Sequence, residues 1–243
     1  MAEWDLVVFD MAGTTVRDRS EVESCFLKAA RETELPADSE QILSMMGWSK
    51  RLVFETLWKQ QGLQDPQELQ RTVDRSYDAF RTILEQHYET QVVEPSVGCL
   101  ECFEWLRARG IAVALTTGFY RRVTDIILGR LGWDAGLDAD YRGSADTRIQ
   151  ASVASDQVAA GRPAADMIRR AMELTQVEDP GRVVKIGDTP SDLQAGRAAE
   201  CGLVLGVTNG THSADQLGSH DSDGLLASLS ELSDSLVRSE KEA

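Results

Sequence analysis

Residues 4–15, WDLVVFDMAGTT, decide the fold. An apolar, β-branched run at 6–9 ends in Asp10, and the turn residues Gly13, Thr14 and Thr15 follow. A short run of this kind closed by a turn reads as a buried strand of a parallel sheet. A carboxylate at the carboxyl end of such a strand faces the ligand crevice of an open α/β sheet. Burying it unpaired is costly, so the position calls for a metal, a cation or a reaction. Ala12 stands where a second carboxylate is expected.

Outward from this stretch, β-branched runs alternate with helical spacing. Strands are expected at 5–9, 111–115, 182–186 and 203–207, with a weaker one near 149–154. Helical periodicity marks 97–109, 120–131, 164–174 and 190–199, and predicts a terminal helix over 225–237. The alternation implies an α/β fold with a Rossmann-like parallel sheet covered on both faces. Residues 17–90 break the pattern with helical stretches at 20–33, 39–44, 50–61 and 66–87. The block reads as an inserted α-helical cap domain, leaving 1–16 and 91–243 as the core. Pro95, in the exit stretch QVVEPSVG, discourages continuation of the preceding helix.

The 243 residues suffice for a core of about 150 residues carrying a smaller domain. A 42% apolar share with 27% charged residues is that of a soluble globular chain, and no stretch approaches the roughly 20 apolar residues of a membrane span. Glu3 and Asp5 interrupt any basic and apolar leader, so a cytoplasmic location is expected. The formal charge of −15 argues against nucleic acid as a partner. Cys25, Cys99, Cys102 and Cys201 read as buried free thiols, because the Cys99-x-x-Cys102 pair sits in a helical stretch without a second ligand pair. His87, His212 and His220 fall in no motif and read as structural or exposed; Trp48 reads as packing, and Lys185 as the partner of a carboxylate.

Four features converge at expected strand ends: Asp10, the Thr116-Thr117-Gly118 turn, Arg162 in GRP before a helix, and Asp188 with Asp192 in GDTPSD. Each alone has an ordinary reading as a turn, a cap or a surface pair. Together they suit phosphoryl transfer. A carboxylate can attack phosphorus, a hydroxyl and N–H groups can hold oxygens, a cation can neutralise charge, and carboxylates can bind magnesium.

DMAGTT, TTGF, GRP and GDTPSD, in this order, resemble the four motifs of the haloacid dehalogenase superfamily. With MGWSK at 46–50 the chain is similar to its phosphonoacetaldehyde hydrolase, or phosphonatase, branch. The resemblance implies Asp10 as nucleophile, Thr117 and Gly118 on phosphoryl oxygens, and Arg162 as the motif III cation. It implies Mg²⁺ held by Asp10, Asp188 and the Ala12 carbonyl, with Asp192 acting mainly from outside these ligands. Lys50 matches the Schiff-base lysine, and Met46 and Phe119 line the substrate. A homodimer through the cap is a further implication of the family, not of any residue pattern here. The chain departs from the branch at Val53, Phe119 and Ser20, where histidine, tyrosine and cysteine are found.

Ala12 and Lys50 explain each other. A phosphate monoesterase of the superfamily protonates its leaving group with an aspartate at the Ala12 position, help worth about 10² to 10⁴ in rate. A carbon leaving group needs no such acid if a lysine first turns its carbonyl into an iminium. The expectation is a hydrolase acting on a small carbonyl phosphonate. The alternatives are a phosphate monoesterase of the phosphoglycolate phosphatase type, with Lys50 only binding substrate, and a catalytically silent phosphate-binding protein.

Overall fold

In the computed structural model, which describes residues 4–242, strand β1 (Leu6–Asp10) lies inside a six-stranded parallel sheet. The other strands are β2 (Ala112–Thr117), β3 (Ala151–Ala154), β4 (Val183–Gly187), β5 (Leu203–Val207) and β6 (Gly224–Leu226), in the order β3-β2-β1-β4-β5-β6. The order reverses direction at β1. Ligands of open α/β sheets bind at that reversal, outside the carboxyl ends of the strands. Asp10 is the last residue of β1, opposite Thr116 of β2.

The helices are α1 (Glu21–Glu32), α2 (Ser39–Ser44), α3 (Lys50–Gln60), α4 (Pro66–Thr90), α5 (Cys99–Arg107), α6 (Arg121–Leu131), α7 (Asp166–Thr175), α8 (Pro190–Ala198), α9 (Ala214–Gly218) and α10 (Leu232–Glu242). Alternate β1 residues feed two cores, as the period of a strand requires. Val7 and Phe9 pack with Phe103 of α5, Ile127 of α6 and Leu232 of α10, whereas Leu6 and Val8 pack with Ile168 of α7 and Leu193 of α8.

Helices α1 to α4, in the stretch expected to be the cap, pack on one another. Asp65 accepts a hydrogen bond from Glu68 N and Pro66 occupies the first turn, a strong start signal for α4. Its buried residues, Val73, Ser76, Phe80, Leu84 and Tyr88, recur every three or four positions and make one stripe. That stripe meets Phe26 of α1 and Phe54 of α3, with Phe26 and Phe80 stacked at 4.3 Å. The two linkers joining cap and core pair with each other: Arg17 N donates to Glu94 O and Ser96 N to Thr15 O, both at 2.9 Å.

The expected terminal helix over 225–237 is corrected. Its first part is the strand β6, a short 3-10 turn follows at Leu229–Glu231, and the helix begins only at Leu232. Three residues carry too little local pattern to declare a strand; pairing of Leu205, Gly206 and Val207 with Gly224, Leu225 and Leu226 creates it. Helix α9 was likewise without a sequence signal beyond its Ser213 cap. All four cysteines are free and buried. Among the described residues no helix is long and apolar enough to cross a membrane. Glu3, on which part of the leader argument rests, lies outside the described residues.

Candidate active site

The turn after Asp10 is built around one carbonyl. Thr14 N, Thr15 N and Val16 N all donate to Met11 O, at 3.2, 2.9 and 2.7 Å. Gly13 has a φ of +88°, and a Cβ there would stand 2.2 Å from Asp188 Oδ2, so only glycine lets the two loops meet. Thr14 Oγ1 in turn donates to Asp188 Oδ1 at 3.1 Å. The sequence of the turn therefore brings the ends of β1 and β4 together.

Ligand oxygens of Asp10, Asp188 and Asp192 all lie within 4.8 Å of one another, and all three residues are buried. Two cations face them. Arg162 Nη1 lies 2.8 Å from Asp10 Oδ1 and also bonds Asp192 Oδ1, and Lys185 Nζ lies 2.8 Å from the same Asp192 oxygen. Thr189 Oγ1 donates to the other Asp192 oxygen at 2.6 Å. Asp192, named above among the metal candidates, thus has both oxygens engaged and acts as the anchor of Arg162 and Lys185. Burial opposes its ionisation, yet Arg162 and Lys185 hold its carboxyl well below the usual range.

Asp10 and Asp188 are in the opposite situation. Burial pushes Asp10 up to about 7, and Asp192 and Asp188 add to the rise against Arg162 and Lys185. Asp188 is raised by burial and by Asp192, although Thr211 N donates to its Oδ2 at 2.7 Å. Three buried carboxylates beside two buried cations leave negative charge uncompensated. A hard divalent cation suits this all-oxygen set, so the residues present fit magnesium.

A small cavity of about 20 Å³ lies over Asp10. Core residues Ala12, Thr117, Gly118, Phe119, Arg162, Thr189 and Thr211 line one side, and cap residues Val22, Met46, Gly47 and Lys50 the other. Thr117 Oγ1 accepts from Phe119 N at 3.1 Å. Cap and core touch through backbone: a Cβ on Gly118 would come within 2.9 Å of both Gly47 O and Trp48 O, and one on Gly47, at φ +89°, within 2.5 Å of Thr189 Oγ1. Trp48 is half-buried against the core.

Lys50 is the first residue of α3, where the helix dipole disfavours a cation, and only 4% of it is exposed. Among the described residues no carboxylate reaches it at ion-pair distance. Its Nζ lies 5.6 Å from the rings of both Phe26 and Phe119. Burial, helped by the charge of Arg162, lowers its ammonium to about 8. Val53 is buried in the cap core, and Ser20 is exposed at the start of α1. Of the histidines, His87 and His220 are half-buried, whereas His212 is buried and in its neutral form is favoured by that burial.

Of the candidate site residues, Asp10, Ala12, Met46, Lys50, Thr117, Gly118, Phe119 and Arg162 line this cavity, and Asp188 and Asp192 lie beside Asp10. Thr14, Thr189, Thr211 and Val22 also belong to the site but were not anticipated. Thr211 had a signal, since it lies in the loop leaving β5, another carboxyl strand end. Val22 had none, because its place depends on how α1 docks.

The profile of haloacid dehalogenase-like hydrolases matches residues 4–200. A phosphonoacetaldehyde hydrolase of Bacillus mycoides is 32% identical over 219 residues, 83% of this chain and 76% of that protein. Among solved structures, a phosphonoacetaldehyde hydrolase-like protein of Oleispira antarctica superposes with a TM-score of 0.78 at 16% identity, covering 99% of this chain and 94% of that one. A protein of Lactobacillus delbrueckii, whose assignment as a phosphoglycolate phosphatase is itself a prediction, reaches 0.74 at 17% identity, covering 96% and 98%. At these identities the two structures speak to the fold alone.

Proposed function

This chain belongs to the haloacid dehalogenase-like hydrolase family, and we propose that it cleaves the carbon–phosphorus bond of a small carbonyl phosphonate, phosphonoacetaldehyde or a relative. The observation that carries the reading is Lys50, buried without a carboxylate partner on the cap side of the cavity that holds Asp10. An ordinary substrate-binding lysine has no need of burial that lowers its ammonium to about 8. An amine that must attack a carbonyl does, because only the neutral form is nucleophilic.

In this reading the neutral Lys50 amine condenses with the substrate carbonyl to an iminium, losing water. Asp10 then attacks phosphorus; the electrons of the breaking bond pass into an enamine, and an aspartyl-phosphate remains. Arg162, anchored by Asp192, and the Thr117-Gly118 turn hold the transferred group. Asp10, Asp188 and the Ala12 carbonyl would hold Mg²⁺, which supplies charge neutralisation for the phosphoryl oxygens. Ala12 fits because the departing carbon needs no acid at that position. Phe119, Met46 and Val22 give the leaving group an apolar, water-poor surround.

Phosphate release with Mg²⁺ tests the reading, from phosphonoacetaldehyde beside a panel of phosphate monoesters, using wild type, Asp10→Asn and Lys50→Arg. Release from the phosphonate that requires both residues is the expected result. Release from esters alone, surviving Lys50→Arg, supports a phosphoglycolate phosphatase-type enzyme instead.

A further inference from the structure

The cavity over Asp10 holds about 20 Å³, little more than the room one water needs. A substrate enters it only by displacing part of the wall, so the part that cannot yield decides which substrate is accepted. Lys50 shares that wall with three apolar side chains larger than alanine, Val22, Met46 and Phe119.

These three differ in how far they can give. Met46 is unbranched and refits readily to a changed ligand. Phe119 turns its ring to the Lys50 amine, 5.6 Å away, and packs edge-on against Tyr88 of α4. Val22 is fully buried in the first turn of α1, and a β-branched side chain on a helix keeps essentially one rotamer. Behind it on the same helix face, one turn further along, stands Phe26. The Phe26 ring stacks on Phe80 of α4 at 4.3 Å and meets Phe54 of α3 at 5.1 Å, so a retreat of Val22 would have to move an aromatic cluster. The same ring lies 5.6 Å from Lys50 Nζ, so one side chain sets both the valine wall and the place of the amine.

We propose that Val22 sets the size limit on the carbonyl carbon of the substrate, admitting an aldehyde and rejecting a ketone. The proposal rests on the carbonyl-phosphonate reading. In the iminium formed with Lys50, the former carbonyl carbon bears the nitrogen, the carbon leading to phosphorus and one further substituent. Asp10 fixes the phosphorus end and Lys50 the nitrogen, which leaves the third substituent against the apolar wall. Hydrogen fits there. A methyl group presses on Val22, and overpacking against a wall without slack is unfavourable.

The experiment compares kcat/KM for phosphate release, with Mg²⁺, from phosphonoacetaldehyde and from acetonylphosphonate, which carries a methyl group where the aldehyde carries hydrogen. The proteins are the wild type, Val22→Ala, Val22→Ile and Val73→Ala; Val73 of α4 is equally buried in the cap but does not line the cavity. The ketone-to-aldehyde ratio is internal to each variant, so a general loss of folded protein cancels. The expected result is a rise in that ratio of at least about 10-fold for Val22→Ala, the scale on which an apolar pocket senses one carbon. Val22→Ile should lower turnover of the aldehyde itself, and Val73→Ala should keep the wild-type ratio. An unchanged ratio in Val22→Ala, or an equal rise in Val73→Ala, overturns the role of Val22 while leaving the Lys50 chemistry standing. No phosphate from phosphonoacetaldehyde with the wild type removes the carbonyl-phosphonate reading and the size limit with it.

Discussion

Lys50 of the cap and Phe119 of the core meet across the active-site cavity, with the ammonium nitrogen 5.6 Å from the ring centroid. One side chain starts a helix and the other follows β2, so the pair exists only while cap and core are together. An aromatic face tolerates a cation without fixing its charge as a carboxylate would. The amine is thereby left free to lose its proton.

The first prediction concerns stability. Lys50→Met removes a buried amine that gains no ion pair and keeps the shape of the side chain. Up to about pH 8 both folded and unfolded chains hold the proton, and the folded state bears the full burial cost. Between about 8 and the ordinary lysine value the unfolded chain binds the proton and the folded one does not, so wild-type stability rises with pH there. Urea denaturation should find the variant more stable by on the order of 1–3 kcal/mol at pH 7, with the gap closing toward pH 10. A variant less stable than wild type at pH 7 would contradict the account of the buried amine.

Asp192 makes the opposite prediction. Its carboxylate holds two buried cations, and removing one member of such a network costs roughly 3–5 kcal/mol. Its pKa is lowered on folding, so this stabilisation is present above the unfolded aspartate value and is lost as pH falls toward the folded one. Asp192→Asn should therefore be strongly destabilised at pH 7, and the difference should shrink below pH 4. Equal denaturation midpoints for the two proteins at pH 7 would rule this out.

Cap docking is tested at Gly118. A methyl group there pushes against two backbone carbonyls of the cap, Gly47 O and Trp48 O, and overpacking of this kind costs about 1–3 kcal/mol. Gly118→Ala should lower kcat/KM roughly 10- to 100-fold, as 1.4 kcal/mol is tenfold, while circular dichroism stays that of the wild type. Undiminished turnover would mean that the contact has no part in closure.

Much of the core could be read from the chain, for a local reason. Strands β1, β2, β4 and β5 are buried on both faces or nearly so, and such strands are written as β-branched runs. Strand β6 is short and exists because β5 offers an edge, so its residues passed for helix. Asp10, Arg162, Asp188 and Asp192 were legible because each sits at a strand end or helix start. Val22 was not, since only the docking of α1 brings it to the cavity. The pairing of Lys185 with Asp192 was anticipated in kind, but not its sharing of one oxygen with Arg162.

Magnesium should bind to the carboxylate set without substrate. At a concentration 100 times its dissociation constant it should stabilise the protein by about 2.7 kcal/mol, read as a rise in melting temperature. Asp188→Asn should abolish most of that rise. A shift of the same size in the variant would place the cation elsewhere.

The central claim is that the Lys50 amine forms an imine with substrate. Borohydride is added during turnover of phosphonoacetaldehyde with Mg²⁺, and the protein is digested and analysed by peptide mass spectrometry. The account predicts one reduced adduct on the peptide carrying Lys50, formed faster as pH rises from 7 to 8 and absent with phosphate esters. Phosphate released from the phosphonate with no adduct on Lys50 would contradict it.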